Sequence, residues 1–236
     1  MGFKPNQTYP KDSQTLKQLL SNEELAIIVQ EMAQQIVDDY RNQNVALVCV
    51  DYGARPFYNL LVDNVRALGK KDIFQGYVRV QTDATKKDGE KEKSRFVYES
   101  GILCDKNKLK QTHVIFVDDQ INKGRTWDLI KKRYSDALSV ELASLIVRPN
   151  AKKRMKTNDV KYYGIIYNLR NKTIAGFGMD VKEVLRQGPL VEVPRKPSDN
   201  FVERVSTTPH GDRYKLQPHD KNIRTHGKNN RSHDGR

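Results

Sequence analysis

Cysteine, tryptophan and long apolar segments are all scarce in this sequence. Its 236 residues include two cysteines and one tryptophan, and no apolar run reaches the length of about 18 residues that a membrane-spanning helix needs. The first twelve residues, MGFKPNQTYPKD, contain no apolar core of the kind found in secretory signals. Cys49 and Cys104 have no neighbours at zinc-ligand spacing. The sequence therefore predicts a cytoplasmic protein in a reducing compartment, with no membrane partner and no structural zinc.

Positive charge, in contrast, is abundant, with a formal net charge of +13. A basic protein of this size is expected to meet phosphate groups, whether on a nucleotide, a nucleic acid or a membrane surface. A solvated basic surface without a partner is the plain alternative. Charge alone does not choose among these possibilities.

Residues 114–127, VIFVDDQINKGRTW, are the most informative stretch of the chain. The first four are apolar and predict a short buried strand, and a helix is predicted from about Thr126. A tight loop that opens a helix presents free backbone N–H groups, which attract an anion. Gly124 would let the backbone approach a ligand, and Thr126 would add a hydroxyl donor. This pattern predicts a phosphate site.

The two acids after the strand, Asp118 and Asp119, need a different ligand because carboxylates repel phosphate. They suit ribose hydroxyls or a hard cation that accompanies a polyphosphate. The plain alternative is an ordinary strand, turn and helix with a solvated acidic turn.

Further apolar strands alternate with helices along the chain, which is typical of a parallel sheet. About five strand units with intervening helices predict an α/β fold, a doubly wound and mostly parallel sheet with helices on both faces. The predicted strands, besides the one at 114–117, lie at 45–50, 74–80, 96–100, 140–147, 161–168 and 174–180.

Composition divides the chain into three parts. Residues 1–20 are interpreted as a polar N-terminal extension and residues 21–194 as the folded domain. Within the domain, residues 82–95 are strongly charged and predict a mobile loop at the tip of a hairpin. Residues 195–236 are rich in Lys, Arg and His and poor in apolar residues, which predicts a disordered basic tail that could contact RNA or DNA.

The central stretch resembles the binding loop for 5-phosphoribosyl 1-pyrophosphate (PRPP) in type I phosphoribosyltransferases. That loop has four apolar residues, two acids, two variable residues, an acid and Thr-Gly-x-Thr. Three more segments match the family in the same order: VALVCVDYGARPFYNLL, then YVRVQT with its charged loop, and GFGMDVKEVLRQGPLVEV. Across residues 15–193 the order of these segments is most similar to that of the hypoxanthine-guanine branch.

This resemblance implies a doubly wound fold and transfer of phosphoribosyl between PRPP and a purine, with Mg²⁺. PRPP or a nucleoside monophosphate would be the ligand, and a second copy of the chain is also considered as a partner. The implied roles are Asp118, Asp119 and Asn122 in catalysis; Lys123, Gly124, Arg125 and Thr126 at the 5′-phosphate; Tyr52, Gly53, Arg55 and Arg186 at the pyrophosphate; Arg148 and Ile174 at the base; and Asp118, Asp119 and Asp180 at the metal.

Several positions depart from the family pattern. Asn122 stands where the family has its candidate general acid/base, and an amide cannot exchange a proton near neutral pH. Lys123 replaces a threonine of the loop, and Tyr52 replaces the lysine of the pyrophosphate loop. Arg148 replaces the lysine that recognises the purine oxo group, and Thr173 replaces an aromatic residue that stacks on the base. The phosphate and ribose positions are thus better kept than the purine positions.

Two hypotheses follow. The chain is either an active phosphoribosyltransferase that tolerates Asn122, or a catalytically impaired relative that binds the nucleotide and acts in regulation or assembly through its basic tail. The retained acids and the phosphate loop favour the enzyme.

Overall fold

A computed structural model of the chain describes residues 17–82, 94–155, 160–167, 172–177, 179, 190–194 and 224–225. Its strands are β1 Lys17–Leu20, β2 Val45–Val50, β3 Ile73–Thr82, β4 Ser94–Gly101, β5 His113–Ile121, β6 Ser139–Val147, β7 Val160–Ile166, β8 Lys172–Ala175, β9 Leu190–Pro194 and β10 Arg224–Thr225. Its α-helices are α1 Asn22–Asp39, α2 Arg55–Ala67, α3 Lys106–Leu109, α4 Arg125–Arg133 and α5 Pro149–Arg154. A 3₁₀ turn at Ile102–Cys104 precedes α3.

The larger sheet has the strand order β10-β7-β6-β5-β2-β3-β4. All neighbours from β7 to β3 are parallel, whereas the pairs β3–β4 and β7–β10 are antiparallel. From β2 the chain continues to β3 on one side and later returns to β5 on the other. The predicted doubly wound sheet is confirmed, and its switch point lies between β2 and β5, where α/β proteins bind ligands.

Helices cover both faces of this sheet, because β2 and most of β5 and β6 are apolar on both sides. In β2 every residue is buried. Val45, Leu47 and Cys49 belong to a core with α1 and α2, while the alternate residues belong to a second core with α3 and α4. The alternation follows from the two-residue period of a strand. The sheet thus separates two hydrophobic cores.

A smaller sheet has the order β1-β9-β8 and is antiparallel. Leu19 and Leu20 of β1 are buried in the core that contains α1. Residues 17–20 are therefore part of the domain, which corrects the predicted boundary at residue 21. The reason is that the partner of β1 is β9, at the far end of the described domain, and a short segment gives no sign of such a pairing. The strand predicted at 174–180 is wrong in its bounds and its sheet: it overlaps β8 only at Ile174 and Ala175, and β8 belongs to this smaller sheet.

β3 and β4 form the predicted hairpin, with Thr82 opposite Ser94. Both strands are longer than predicted, and residues 83–93 of the charged loop lie outside the described residues. The tail from 195 onward also lies outside them, except that Arg224–Thr225 pairs with β7.

An ion pair joins the outer strand of the hairpin to α4. Glu99 of β4 accepts hydrogen bonds from Nε and Nη2 of Arg133, the latter at 2.7 Å, and from the Tyr134 hydroxyl at 2.6 Å. The paired guanidinium of Arg133 holds the pKa of Glu99 below its usual value. Strand β4 is therefore fixed to the end of α4.

No helix in the described ranges combines the length and apolarity needed to cross a membrane.

Candidate active site

The site lies at the switch point, where β5 extends beyond its neighbour β2. The last β5 residue that pairs with β2 is Val117, opposite Cys49. β5 continues to Ile121 alongside β6, so Asp118 and Asp119 lie within the strand rather than after it. This overhang opens a crevice beyond the end of β2, and the two acids occupy it.

The loop that follows β2 closes this crevice from the other side. A Cβ atom built on Gly53 would lie 2.5 Å from Oδ2 of Asp119, which is closer than any real contact. Any other residue at this position would require the Asp119 carboxylate to move. The two loops predicted from separate segments, one for pyrophosphate and one for ribose phosphate, are therefore brought together.

Burial raises the pKa of both acids in the crevice. For Asp118 the burial and the neighbouring Asp119 carboxylate raise the pKa well above its usual value. For Asp119 burial raises the pKa to about 6. The negative charge of Asp51 also raises the pKa of both groups. A cation or hydroxyl donors in the crevice would relieve this crowding of negative charge.

The turn after β2 is held in an unusual conformation by Asp51. Its φ is +62°, in the left-handed region that non-glycine residues rarely adopt. Its N–H donates to the Val78 carbonyl at 2.8 Å, and its Oδ1 accepts from the Tyr52 N–H at 2.7 Å. These bonds fix the start of the loop, so the backbone of Gly53 is presented to the crevice in one arrangement.

Two guanidinium groups lie against the half-exposed ring of Tyr52. Cζ of Arg55 is 4.3 Å from the ring centroid, and Cζ of Arg79, on β3, is 5.1 Å from it. Arg79 also lies 3.8 Å from Asp51. The loop lacks the family's lysine, but the fold gives it two arginines, of which only Arg55 was predicted to take part. Arg79 has no motif signal of its own, and only the pairing of β2 with β3 brings it to the loop.

The predicted phosphate cradle forms the start of α4. Gly124 is the N-cap with φ +71°, and no side chain caps the first turn. The first backbone N–H groups of a helix have no intrahelical acceptors, so the start of a helix attracts an anion. Asn122, Lys123 and Arg125 are exposed, and Thr126 is partly buried. The cradle thus combines backbone donors with cationic side chains at the rim.

Gly124 has a second role in packing. A Cβ atom on it would lie 2.9 Å from Sδ of Met155, the residue that ends α5. Met155 is buried in the core together with Trp127 of α4. A larger residue here would require the Met155 side chain to move, and the positive φ of Gly124 also favours glycine.

Arg148, predicted at the base, lies just after β6 and beside the end of β5. Its N–H donates to the Ile121 carbonyl at 3.0 Å. With the Gln120 amide oriented so that its oxygen faces the guanidinium, that oxygen accepts from Nε at 2.7 Å and from Nη2 at 3.0 Å. Sequence reasoning missed Gln120 because it stands at a variable position of the loop pattern.

The other predicted base residue, Ile174 on β8, has a buried side chain in the core shared with α1. Any contact of Ile174 with a base would therefore come from its backbone, and its role at the base stays a prediction. Asp180 and Arg186 lie outside the described residues, and so does the side chain of Thr173.

A magnesium site is only partly represented in the described residues. Among them, no three His, Cys, Asp or Glu side chains are grouped to hold a metal ion. Asp118 and Asp119 nevertheless fit Mg²⁺, which proteins bind through one or two carboxylates together with substrate phosphates. Burial raises the pKa of both carboxyl groups, and the charge of a bound cation would lower it.

Comparisons with known proteins agree with this geometry. Residues 15–182 match the family model of the phosphoribosyl transferase domain. The chain is 31% identical over 180 residues to the hypoxanthine-guanine phosphoribosyltransferase of Streptococcus thermophilus (strain CNRZ 1066), covering 75% of this chain and 92% of that protein.

Two solved structures show the same fold. The hypoxanthine phosphoribosyltransferase of Staphylococcus aureus is 20% identical with a TM-score of 0.62, covering 78% of this chain and 96% of that one. That of Trypanosoma cruzi, in complex with the product IMP, is 18% identical with a TM-score of 0.62, covering 80% and 98%. Together with the family model and the crevice at the switch point, these similarities show that the chain belongs to the type I phosphoribosyltransferases, in the branch of the hypoxanthine-guanine enzymes.

Proposed function

We propose that this chain binds PRPP or a purine nucleoside 5′-monophosphate in the crevice between β2 and β5, and transfers the phosphoribosyl group to or from a purine. The observation that carries the proposal is the close approach of the Gly53 backbone to the Asp119 carboxylate, where a Cβ atom on Gly53 would lie 2.5 Å from Oδ2. It supports a single site in which a pyrophosphate loop and a ribose-phosphate loop act on one ligand.

The 5′-phosphate would sit at the start of α4. The uncapped N–H groups after Gly124 would donate to its oxygens, and Lys123 and Arg125 would add positive charge. Asp118 and Asp119 would accept hydrogen bonds from the two ribose hydroxyls. A hydroxyl donor favours the ionised carboxylate, so binding would lower the raised pKa of these acids.

The pyrophosphate would lie over the loop after β2. Arg55 and Arg79 would supply there the positive charge that the family's lysine supplies elsewhere. As the bond from ribose C1 to pyrophosphate breaks, these guanidinium groups would stabilise the charge that develops on the leaving group. Asp118 and Asp119 would hold Mg²⁺, and its charge would offset part of the negative charge of the pyrophosphate.

At the purine, Arg148 would donate to an oxo group and Asn122 would face the ring nitrogens. The Asn122 amide can make a hydrogen bond, but it cannot remove a proton from the attacking base. General acid–base help is worth roughly 10² to 10⁴ in rate. We therefore propose a slow enzyme whose catalysis depends on positioning and electrostatics.

The replacement of the acid by Asn122 also favours a second candidate function. The chain would then bind the nucleotide without turnover and act as a regulatory or assembly component, with residues 195–236 contacting nucleic acid.

Calorimetric titration of the full chain separates these proposals. Binding of PRPP in the presence of Mg²⁺, followed by pyrophosphate release with hypoxanthine or guanine, supports the enzyme. Binding without release supports the second candidate. If the chain binds neither PRPP nor a nucleoside monophosphate, both proposals are wrong. The Asp119→Asn chain is the matched control, because it keeps the shape of the residue and removes its charge.

A further inference from the structure

The turn that follows β2 brings Tyr52 and Arg55 together. The Arg55 N–H donates to the Tyr52 carbonyl at 3.2 Å, and this hydrogen bond closes the turn. The first and last residues of such a turn lie close in space, and Cζ of Arg55 is 4.3 Å from the centroid of the Tyr52 ring. The loop position that holds a lysine in the family therefore carries an aromatic ring in contact with a guanidinium group.

The pairing of β2 with β3 brings a second guanidinium group to the same ring. Val50 lies opposite Val78 in this parallel pair, so Arg79 comes next to the turn. Cζ of Arg79 is 5.1 Å from the ring centroid of Tyr52. Both arginines thus lie within the roughly 6 Å over which an aromatic face attracts a cation.

Neighbouring groups restrict this arrangement further. Asp51 accepts the Tyr52 N–H at 2.7 Å and lies 3.8 Å from Nε of Arg79, so one carboxylate holds both the turn and the second arginine. Tyr77 lies on the same face of β3 as Arg79, two residues away, and its ring centroid is 5.8 Å from Cζ of Arg55. The ring of Tyr52 is therefore held in a fixed relation to both guanidinium groups.

This cluster borders the crevice that contains the two acids. Burial raises the pKa of the Cys49 thiol to about 12, and the surrounding charges show what lies near it. Arg55 lowers this pKa, whereas Asp118 and Asp119 raise it. The positive cluster and the acid pair therefore lie around one residue at the end of β2.

An aromatic ring holds a cation in a way that suits a polyphosphate ligand. Contact with a ring leaves the positive charge of a guanidinium intact, whereas a carboxylate would cancel it. A guanidinium donates hydrogen bonds in its own plane, so a ring at its face does not use its donors as a carboxylate does. Two such groups side by side offer several donors to the oxygens of a pyrophosphate, while a lysine offers one flexible point charge.

We infer that Tyr52 is a positioning residue, whose ring holds the guanidinium groups of Arg55 and Arg79 as a pair that binds the pyrophosphate of PRPP. This inference rests on the proposed function, because it requires PRPP in the crevice. An arginine that is already held loses less side-chain freedom when the ligand binds.

The test is a calorimetric titration of the full chain with PRPP and with ribose 5-phosphate, both in the presence of Mg²⁺. The two ligands differ in the pyrophosphate, so the ratio of their affinities measures how well that group is bound. Tyr52→Leu removes the ring and should lower this ratio about fivefold, as expected for the loss of two cation–π contacts at an exposed site. Tyr52→Phe, the matched control, keeps the ring and should keep the wild-type ratio. Tyr52 is exposed, so urea denaturation should give the wild-type free energy of unfolding for both variants.

A second variant tests whether the ring acts through the arginines. Arg79→Gln should lower the affinity ratio in the wild-type chain, and it should lower it less in the Tyr52→Leu chain, where Arg79 is no longer held. The inference is overturned if Tyr52→Leu keeps the wild-type ratio, if Tyr52→Phe loses as much as Tyr52→Leu, or if the effects of Tyr52→Leu and Arg79→Gln are independent of each other.

Failure of the inference can be told apart from failure of the proposed function. If wild type binds PRPP no more tightly than ribose 5-phosphate, the inference is wrong, while the nucleotide site of the proposed function stands. If wild type binds neither ligand and no nucleoside monophosphate, the proposed function is wrong as well.

Discussion

The two ends of the parallel strands carry polar groups of opposite character. At the amino ends, Lys161 of β7 lies 3.1 Å from Asp39 and 3.3 Å from Glu141. The same two carboxylates accept hydrogen bonds from the hydroxyls of Tyr162 and Tyr40. At the carboxyl ends, the acids of the crevice lie against one another, and their pKa values are raised.

The polar groups at the amino ends of the strands therefore stabilise the fold, whereas those at the carboxyl ends suit ligand binding. Opposite charges with hydrogen bonds stabilise the fold around the ends of α1, β6 and β7. Like charges in a partly buried crevice destabilise the free protein and create a place for a cation or for hydroxyl donors. The following predictions change one end of the strands at a time.

Restoring the missing acid should have the largest effect. Asn122→Asp should raise the rate of phosphoribosyl transfer to hypoxanthine or guanine by roughly 10² to 10⁴, because it supplies the general acid/base. Asn122 is exposed, so the free energy of unfolding should stay the same. Steady-state kinetics and urea denaturation measure the two quantities. An unchanged rate would mean that the purine site has lost more than its proton carrier.

Removing one charge of the acid pair should affect affinity and stability in opposite directions. Asp119→Asn should weaken ribose 5-phosphate binding about tenfold or more, since a hydrogen-bonded carboxylate is lost. It should also raise the free energy of unfolding at pH 7 by about 1–3 kcal/mol, because a carboxylate with a raised pKa is no longer ionised in the fold. Calorimetry and urea denaturation test this pair of changes, and a variant that loses both affinity and stability would contradict it.

At the other end of the strands, loss of a cation should reduce only stability. Lys161→Met leaves Asp39 and Glu141 without their shared cation and should lower the free energy of unfolding by about 1–2 kcal/mol, less than for a fully buried pair. Affinity for ribose 5-phosphate should remain that of wild type. Lys161→Arg, which keeps the charge, is the control. A fall in affinity would show that the two ends are coupled.

The raised pKa values of the acid pair should make the free energy of unfolding depend on pH. The pKa of Asp119 is raised from 3.8 to about 6, so between these values the folded chain holds a proton that the unfolded chain has released. The free energy of unfolding should therefore fall by about 1–3 kcal/mol as pH rises through this window. Glu99 has a lowered pKa and acts in the opposite sense, at lower pH. Asp119→Asn should flatten the fall, as should saturating Mg²⁺, and a flat wild-type profile would contradict the assignment.

Some of this organisation follows from the sequence, and some depends on contacts that no local pattern contains. Alternating strands and helices predict the doubly wound sheet, and the spacing from Asp118 to Thr126 predicts the cradle at α4. Gln120 and Arg79 escape prediction because their importance comes from neighbouring strands. The role of β1 escapes prediction for the same reason, since its partner β9 is far away in the chain.

Helix α4 has a distinct task at each of its ends. It begins at the predicted phosphate cradle and ends at Arg133, which holds Glu99 of the hairpin. Its nine residues span roughly 13 Å, at a rise of about 1.5 Å per residue. Local opening that frees β4 must break the contact with Glu99, so the amide protons of β4 and α4 should exchange with solvent as one cooperative unit. Arg133→Gln should make β4 exchange faster than α4, and hydrogen-exchange mass spectrometry would detect the separation.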